Sequence, residues 1–145
     1  MNKLQAGFGR VNVTTMLGIG IGGYFIPRFV EGVLDELEIN ALALACGDEK
    51  VLLMTIDNEH LSVEAAADFR KHITEVTGVA DEAIYLHATH SHTTPIIEKD
   101  SEDVLEQEYY KTVYHTANNI NSEISQSVAN FDLHDTVREI TIVWL

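Results

Sequence analysis

The sequence predicts an α/β fold, a mixed sheet with two main helices, built from an N-terminal hairpin and a βαβ unit. Three observations predict it. Two β-rich runs, Glu36 to Cys46 and Lys50 to Ile56, flank the turn residues Gly47 and Asp48, as strands of a hairpin do. A helical stripe then separates the second run from another, Ala83 to Ala88; the order strand, helix, strand implies parallel pairing through a right-handed crossover. A longer stripe of helical period follows from Ser101. At 145 residues the chain reads as a single domain, residues 1–145, with enough length to bury a core.

Taken in order, Ala6 to Val13 sets Phe8, Val11 and Val13 among small and polar residues. It reads as a strand in which Gly7 and Gly9 allow close backbone approach. Leu17 to Tyr24 is glycine-rich. Gly18, Gly20 and Gly23 match the spacing of a dinucleotide fingerprint, but no helix-forming run succeeds them, so the segment is expected to be a close-approach loop. The hairpin strands are nearly continuous in hydrophobicity, which predicts cover on both of their faces. Ser62 is a suitable cap for a helix reaching Thr77, and Gly78 a left-handed stop. Ala65, Ala66, Phe69, Ile73 and Val76 would form its buried stripe. In the second helix the stripe runs Leu105, Tyr109, Val113, Ala117, Ile120, Ile124 and Val128, and Asp132 is expected to end it. Thr136 to Leu145 alternates as a strand does. Its apolar edge calls for cover from further sequence or from a second copy in a homo-oligomer.

Lysine and arginine total 9 against 23 acidic residues, a formal charge of −14. A surface of that sign repels phosphate backbones, so no nucleic-acid partner is expected. Cys46 is the lone cysteine, which rules out an intrachain disulfide and a cysteine zinc cage and leans toward a reducing compartment. No signal peptide or transmembrane segment is visible, since glycines break the apolar stretch from Met16 to Ile26. A cytoplasmic location is the default expectation, or a secreted one if a leader has been removed.

The chemistry concentrates in one box, Tyr85-Leu86-His87-Ala88-Thr89-His90-Ser91-His92-Thr93-Thr94-Pro95. In extended backbone, His90 and His92 point to one side and His87 elsewhere. Neutral imidazole is the commonest metal ligand, and zinc favours nitrogen donors. The box also follows the carboxyl end of a predicted strand, where open α/β sheets place ligands. Ordinary loop hydrogen bonding is the competing account of the pair. Asp57 and His60 are further ligand candidates, although Asp57 is equally suited to satisfying backbone amides in its turn. The acidic run from Glu98 to Glu108 reads as a solvated helix start. Tyr109, Tyr110 and Tyr114 read as core and interface. Ser91 lacks the glycines of a nucleophile elbow.

The order of Gly-Arg-Val-Asn-Val-Thr at 9 to 14, Gly-Gly-Tyr at 22 to 24, Asp35 with Leu37 and Ala41-Leu42-Ala43-Leu44, and Thr55-Ile56-Asp57, followed by the histidine box, resembles the N-terminal part of the catalytic domain in the neutral/alkaline non-lysosomal ceramidase family. The histidine box is the most specific piece, similar to the family's Thr-His-Thr-His-Ser-Gly-Pro. Asn12, Thr15 and Asn40 depart from the family's usual Asp, Pro and Arg. The resemblance implies an incomplete domain, a zinc cofactor with His90 as its ligand, and His92 as the polar active-site partner beside the scissile amide. It also implies that a further histidine, a glutamate and a tyrosine reach the metal from sequence beyond this chain. The substrate would be a small-molecule or lipid-like N-acyl amide.

Two functional readings follow. One is a zinc-dependent amide hydrolase, inactive if the chain is truncated. The other is a non-catalytic α/β binding or oligomerisation module that keeps the fold without a metal centre.

Overall fold

The computed structural model describes residues 3–117, 119–120, 123–124 and 129–131. A five-stranded mixed sheet has the spatial order β4, β3, β2, β1, β5. Its strands are β1 (Leu4–Asn12), β2 (Glu38–Cys46), β3 (Glu49–Ile56), β4 (Ile84–Ala88) and β5 (Ala129–Phe131), with helices α1 (Val63–Thr77) and α2 (Val104–Thr116). The predicted hairpin forms as β2 and β3, antiparallel from Cys46↔Glu49 to Ile39↔Ile56. Gly47 takes the left-handed φ of 63° that the turn requires. β3 and β4 pair in parallel across α1, as a crossover unit does.

Both ends of α1 are where local chemistry puts them. The Ser62 hydroxyl accepts from the Ala65 amide at 3.1 Å, and Gly78 closes the helix at φ 69° with its N–H on the Thr74 carbonyl. Ala65, Phe69 and Ile73 are buried, but Val76 is 39% exposed, so the apolar stripe stops one turn short of the expected end. In α2 the Asp103 carboxylate caps the amides of Leu105 and Glu106. Tyr109 and Tyr110 are buried in the cluster that holds Phe69, whose ring stacks on Tyr110 at 5.5 Å between centroids. Burial pushes the Tyr109 hydroxyl up, and the nearby Asp57 charge adds to the shift. Asp68 ties the helices together: it accepts from the Tyr110 hydroxyl and pairs with Lys99 at 2.9 Å.

Two expectations are corrected here. The helical period does not continue to Asp132. α2 ends at Thr116, residues 119, 120, 123 and 124 are again helical, and Ala129–Phe131 is a strand paired with Leu4–Ala6 of β1. The amides and carbonyls of that β1 edge need partners, and this need outweighs a sequence periodicity. The strand expected over Thr136 to Leu145 lies outside the described residues.

The sheet is also not covered on both faces among the described residues. Leu52, Met54 and Ile56 share one buried cluster with Phe69 of α1 and Tyr109 of α2. On this side Gly9 admits close approach, since a Cβ there would lie 3.1 Å from the Ile120 carbonyl oxygen. The opposite face carries a row in register across four strands, Phe8, Leu42, Leu53 and Tyr85. Phe8 is 54% and Tyr85 59% exposed, and a depression of about 680 Å³ lies over the row. No helix among the described residues is long and apolar enough to cross a membrane.

Candidate metal centre

Because β3 and β4 run in parallel, the chain leaves both at the same end of the sheet. The loops that follow, after Ile56 and after Ala88, extend the strand pairing: the Thr89 amide donates to the Ile56 carbonyl at 3.0 Å and the Ser91 amide to the Asn58 carbonyl at 3.2 Å. Two fully buried polar side chains hold the loops in place. Asn58 donates from Nδ2 to the His60 carbonyl at 2.6 Å, and the Thr94 hydroxyl donates to the Ser91 carbonyl at 2.8 Å. Buried polar groups are tolerated when paired in this way. Asp57 is not part of the histidine pair's surroundings in the sense expected of a ligand. Its Oδ2 accepts from the Glu38 amide at 3.1 Å and its Oδ1 from the Thr89 hydroxyl at 3.2 Å, which is the backbone-satisfying role, exercised on β2 rather than on its own turn.

His90 and His92 do converge, by a different route from strand alternation. His90 sits at φ 60°, the left-handed region that side chains other than glycine seldom enter. His90 Nδ1 lies 2.9 Å from the Glu59 carbonyl oxygen and His92 Nδ1 lies 3.1 Å from the Gly23 carbonyl oxygen. A carbonyl only accepts, so each Nδ1 carries a hydrogen, and in the neutral ring Nε2 then has the lone pair. The two Nε2 atoms face each other at 3.3 Å. Lone pairs in that position repel until a proton or a cation stands between them. The glycine-rich loop supplies one of these anchors: Gly23 has φ 83°, and a Cβ there would fall 2.2 Å from His92 Nδ1. His87 stays apart, stacked on Tyr85 at 6.4 Å between centroids.

Glu59 completes a cluster that sequence reasoning missed. Its Oε2 accepts from His60 Nδ1, and its Oε1 lies 3.8 Å from His90 Nδ1. One ligand atom each from Glu59, His90 and His92 lies within 4.8 Å of the others. The hydrogen bond from His60 chiefly holds the Glu59 carboxyl below the usual range, aided by the charges of His60, His90 and His92 and opposed by burial. The donors are of the type zinc takes. Two nitrogens bound to one tetrahedral zinc lie about 3.3 Å apart, from bond lengths of about 2.05 Å. The Nε2 pair therefore fits the group.

A cleft of about 500 Å³ opens beside His92, lined in part by Tyr24, Arg28, Phe29 and Thr93. The edge of Tyr24 meets the His92 ring at 5.8 Å, and the Arg28 guanidinium lies 4.5 Å over the Tyr24 ring.

No protein-family model matches the sequence, and no curated protein does. Solved structures do match. A neutral ceramidase from Pseudomonas aeruginosa superposes with a TM-score of 0.74 at 14% identity, over 90% of this chain and 22% of that one. The chain has the fold of part of a neutral ceramidase. A ceramidase complexed with C2 agrees, with a TM-score of 0.72 at 13% identity and the same coverage. The resemblance stated from the histidine box and its companions is thus met by a ceramidase likeness in three dimensions. Identity this low establishes the fold alone. The chain spans about a fifth of the length of either structure, at 22%.

Proposed function

We propose that the chain is the histidine-bearing part of a zinc-dependent hydrolase of an N-acyl amide, with His90 a metal ligand and His92 the polar group beside the scissile bond. The observation that carries the reading is the pair of Nε2 atoms facing each other at 3.3 Å within a ceramidase-like fold. His90 would hold the zinc, which would supply a water of lowered pKa and polarise the amide carbonyl. The chain's own contribution is orientation. The Glu59 carbonyl fixes the tautomer of His90 so that Nε2 offers its lone pair, and the Gly23 carbonyl does the same for His92. His92 forms a wall of the cleft, so a group held there meets it directly. Tyr24 and Phe29 in the same cleft suit the apolar part of a small-molecule or lipid-like acyl amide. Hydrolysis would release a fatty acid and an amine. The rest of the cleft is assigned to polypeptide outside these residues, in further sequence or in a second subunit.

The test is metal content together with hydrolysis of a short-chain fluorogenic N-acyl amide. The purified chain should bind zinc, more weakly than a site with its full ligand set would, and His90→Ala should lose both the zinc and any hydrolysis while melting like the parent, since His90 is exposed. A parent chain that takes up no zinc would leave the non-catalytic binding module as the better account.

A further inference from the structure

The face of the sheet turned away from the helices is patterned as well as exposed. Beside the apolar row Phe8, Leu42, Leu53 and Tyr85, the next residues on the same side of each strand form a polar row, Arg10, Asn40, Thr55 and His87, also in register. We propose that a second copy of this chain covers this face, sheet on sheet, in a two-fold symmetric dimer. Neither row includes His90, His92 or Glu59, so the dimer stands or falls separately from the metal.

Three observations name the occupant. The first is self-complementarity. A two-fold axis along the strands, midway between β2 and β3, lays β2 over β3 of the second copy and β1 over its β4. Each row then falls on itself. Leu42 faces Leu53, Phe8 faces Tyr85, Asn40 faces Thr55 and Arg10 faces His87, and every contact occurs twice, as an isologous interface requires. Sheets packed in this way lie about 10 Å apart and cross at about 30°, which lets the side chains of facing rows interdigitate. The second observation is charge. The chain carries −14, with 23 acidic residues, yet neither row contains one of them, and Arg10 is paired with Glu38. Two copies therefore repel least when they meet here. The third is size. Four strands about 4.8 Å apart, with the eight residues of β3 at about 3.3 Å each, make a face of about 500 Å², so two copies would bury about 1,000 Å², the lower limit for a specific interface. An interface at that limit is weak, with a Kd of about 10 μM or more, and dilute solutions hold the separate chain with its face open.

Sedimentation of the whole 145-residue chain from about 1 μM to about 1 mM brackets that affinity and tests the dimer. The mass should rise from the single chain's 16.1 kDa toward twice that value, and should rise further in higher salt, which screens the repulsion between like charges. Leu53→Glu sets a carboxylate into the central pair and should weaken association at least about hundredfold. Tyr85→Ser, at a side chain 59% exposed, should weaken it at least about tenfold. Leu34→Glu, on the loop before β2 and fully exposed, should leave it unchanged. Circular dichroism would verify that each variant is folded, and Tyr85→Ser decides the matter if Leu53→Glu does not fold. A parent that stays at 16.1 kDa across the range overturns the dimer. So does association within about twofold of the parent in a folded Leu53→Glu or in Tyr85→Ser, since the contact would then lie on another face.

Discussion

Leu52 and Leu53 are adjacent in β3 and have the same side chain, yet Leu52 is 1% exposed and Leu53 39%. Strand alternation sends the first into the cluster shared with α1 and α2 and the second into the open row with Phe8, Leu42 and Tyr85. The comparison teaches that an unbroken apolar run states a capacity for burial and not its fulfilment. One face of this sheet has met its helices. The other holds apolar side chains of similar quality with no helix among the described residues laid over them.

The largest effect expected from this contrast is at Leu52. Leu52→Ala should cost about 2–5 kcal/mol, because a side chain is removed from a packed cluster that relaxes only in part, as read from urea denaturation. Asp68→Asn sharpens the contrast from the helical side and should cost about 1 kcal/mol at neutral pH. The Tyr110 hydroxyl and then Lys99 hold the Asp68 carboxyl below its ordinary value of 3.8. A carboxylate lowered in the folded state contributes fully above its unfolded value and loses that contribution as pH falls through the folded one. The melting curves of parent and variant should therefore converge as the pH drops below 3.8. The smallest effect belongs to Leu53→Ala, less than about 1 kcal/mol. If it instead cost as much as Leu52→Ala, the open row would be covered in solution and the contrast would be broken.

Much of this architecture was legible because it follows from chemistry between near neighbours. Ser62 and Gly78 cap α1 with groups three or four residues away, and Gly47 turns a hairpin whose strands adjoin it. Tyr109 and Tyr110 of α2 were readable as core from helical spacing. What escaped depended on residues distant in sequence. Ala129–Phe131 pairs with β1 from the other end of the chain, and its helical periodicity hid that. Val76 keeps the helical spacing, but the position is solvent-facing.

The site divides in the same way. The two histidines of the box were visible as a pair and do converge, although the left-handed backbone at His90 that brings them together has no signature in a histidine codon's neighbours. Glu59 had no signal of its own, since its place beside His90 arises from loops 31 residues apart. Its neighbours Asp57 and His60 drew attention instead, and each proves to serve a supporting contact. Asn58 and Thr94 looked like ordinary loop residues and are the buried pins of both loops.

The parallel pairing of β3 with β4 carries a consequence for how such a protein can change over generations. Both loops that bear the polar groups depart from one rim, while the packed hydrocarbon lies along the strands behind them. Substitutions among the exposed groups of that rim, away from the buried Asn58 and Thr94, can exchange one chemistry for another without disturbing what keeps the chain folded, so descendants of this scaffold are free to diverge in reactivity long before they diverge in shape.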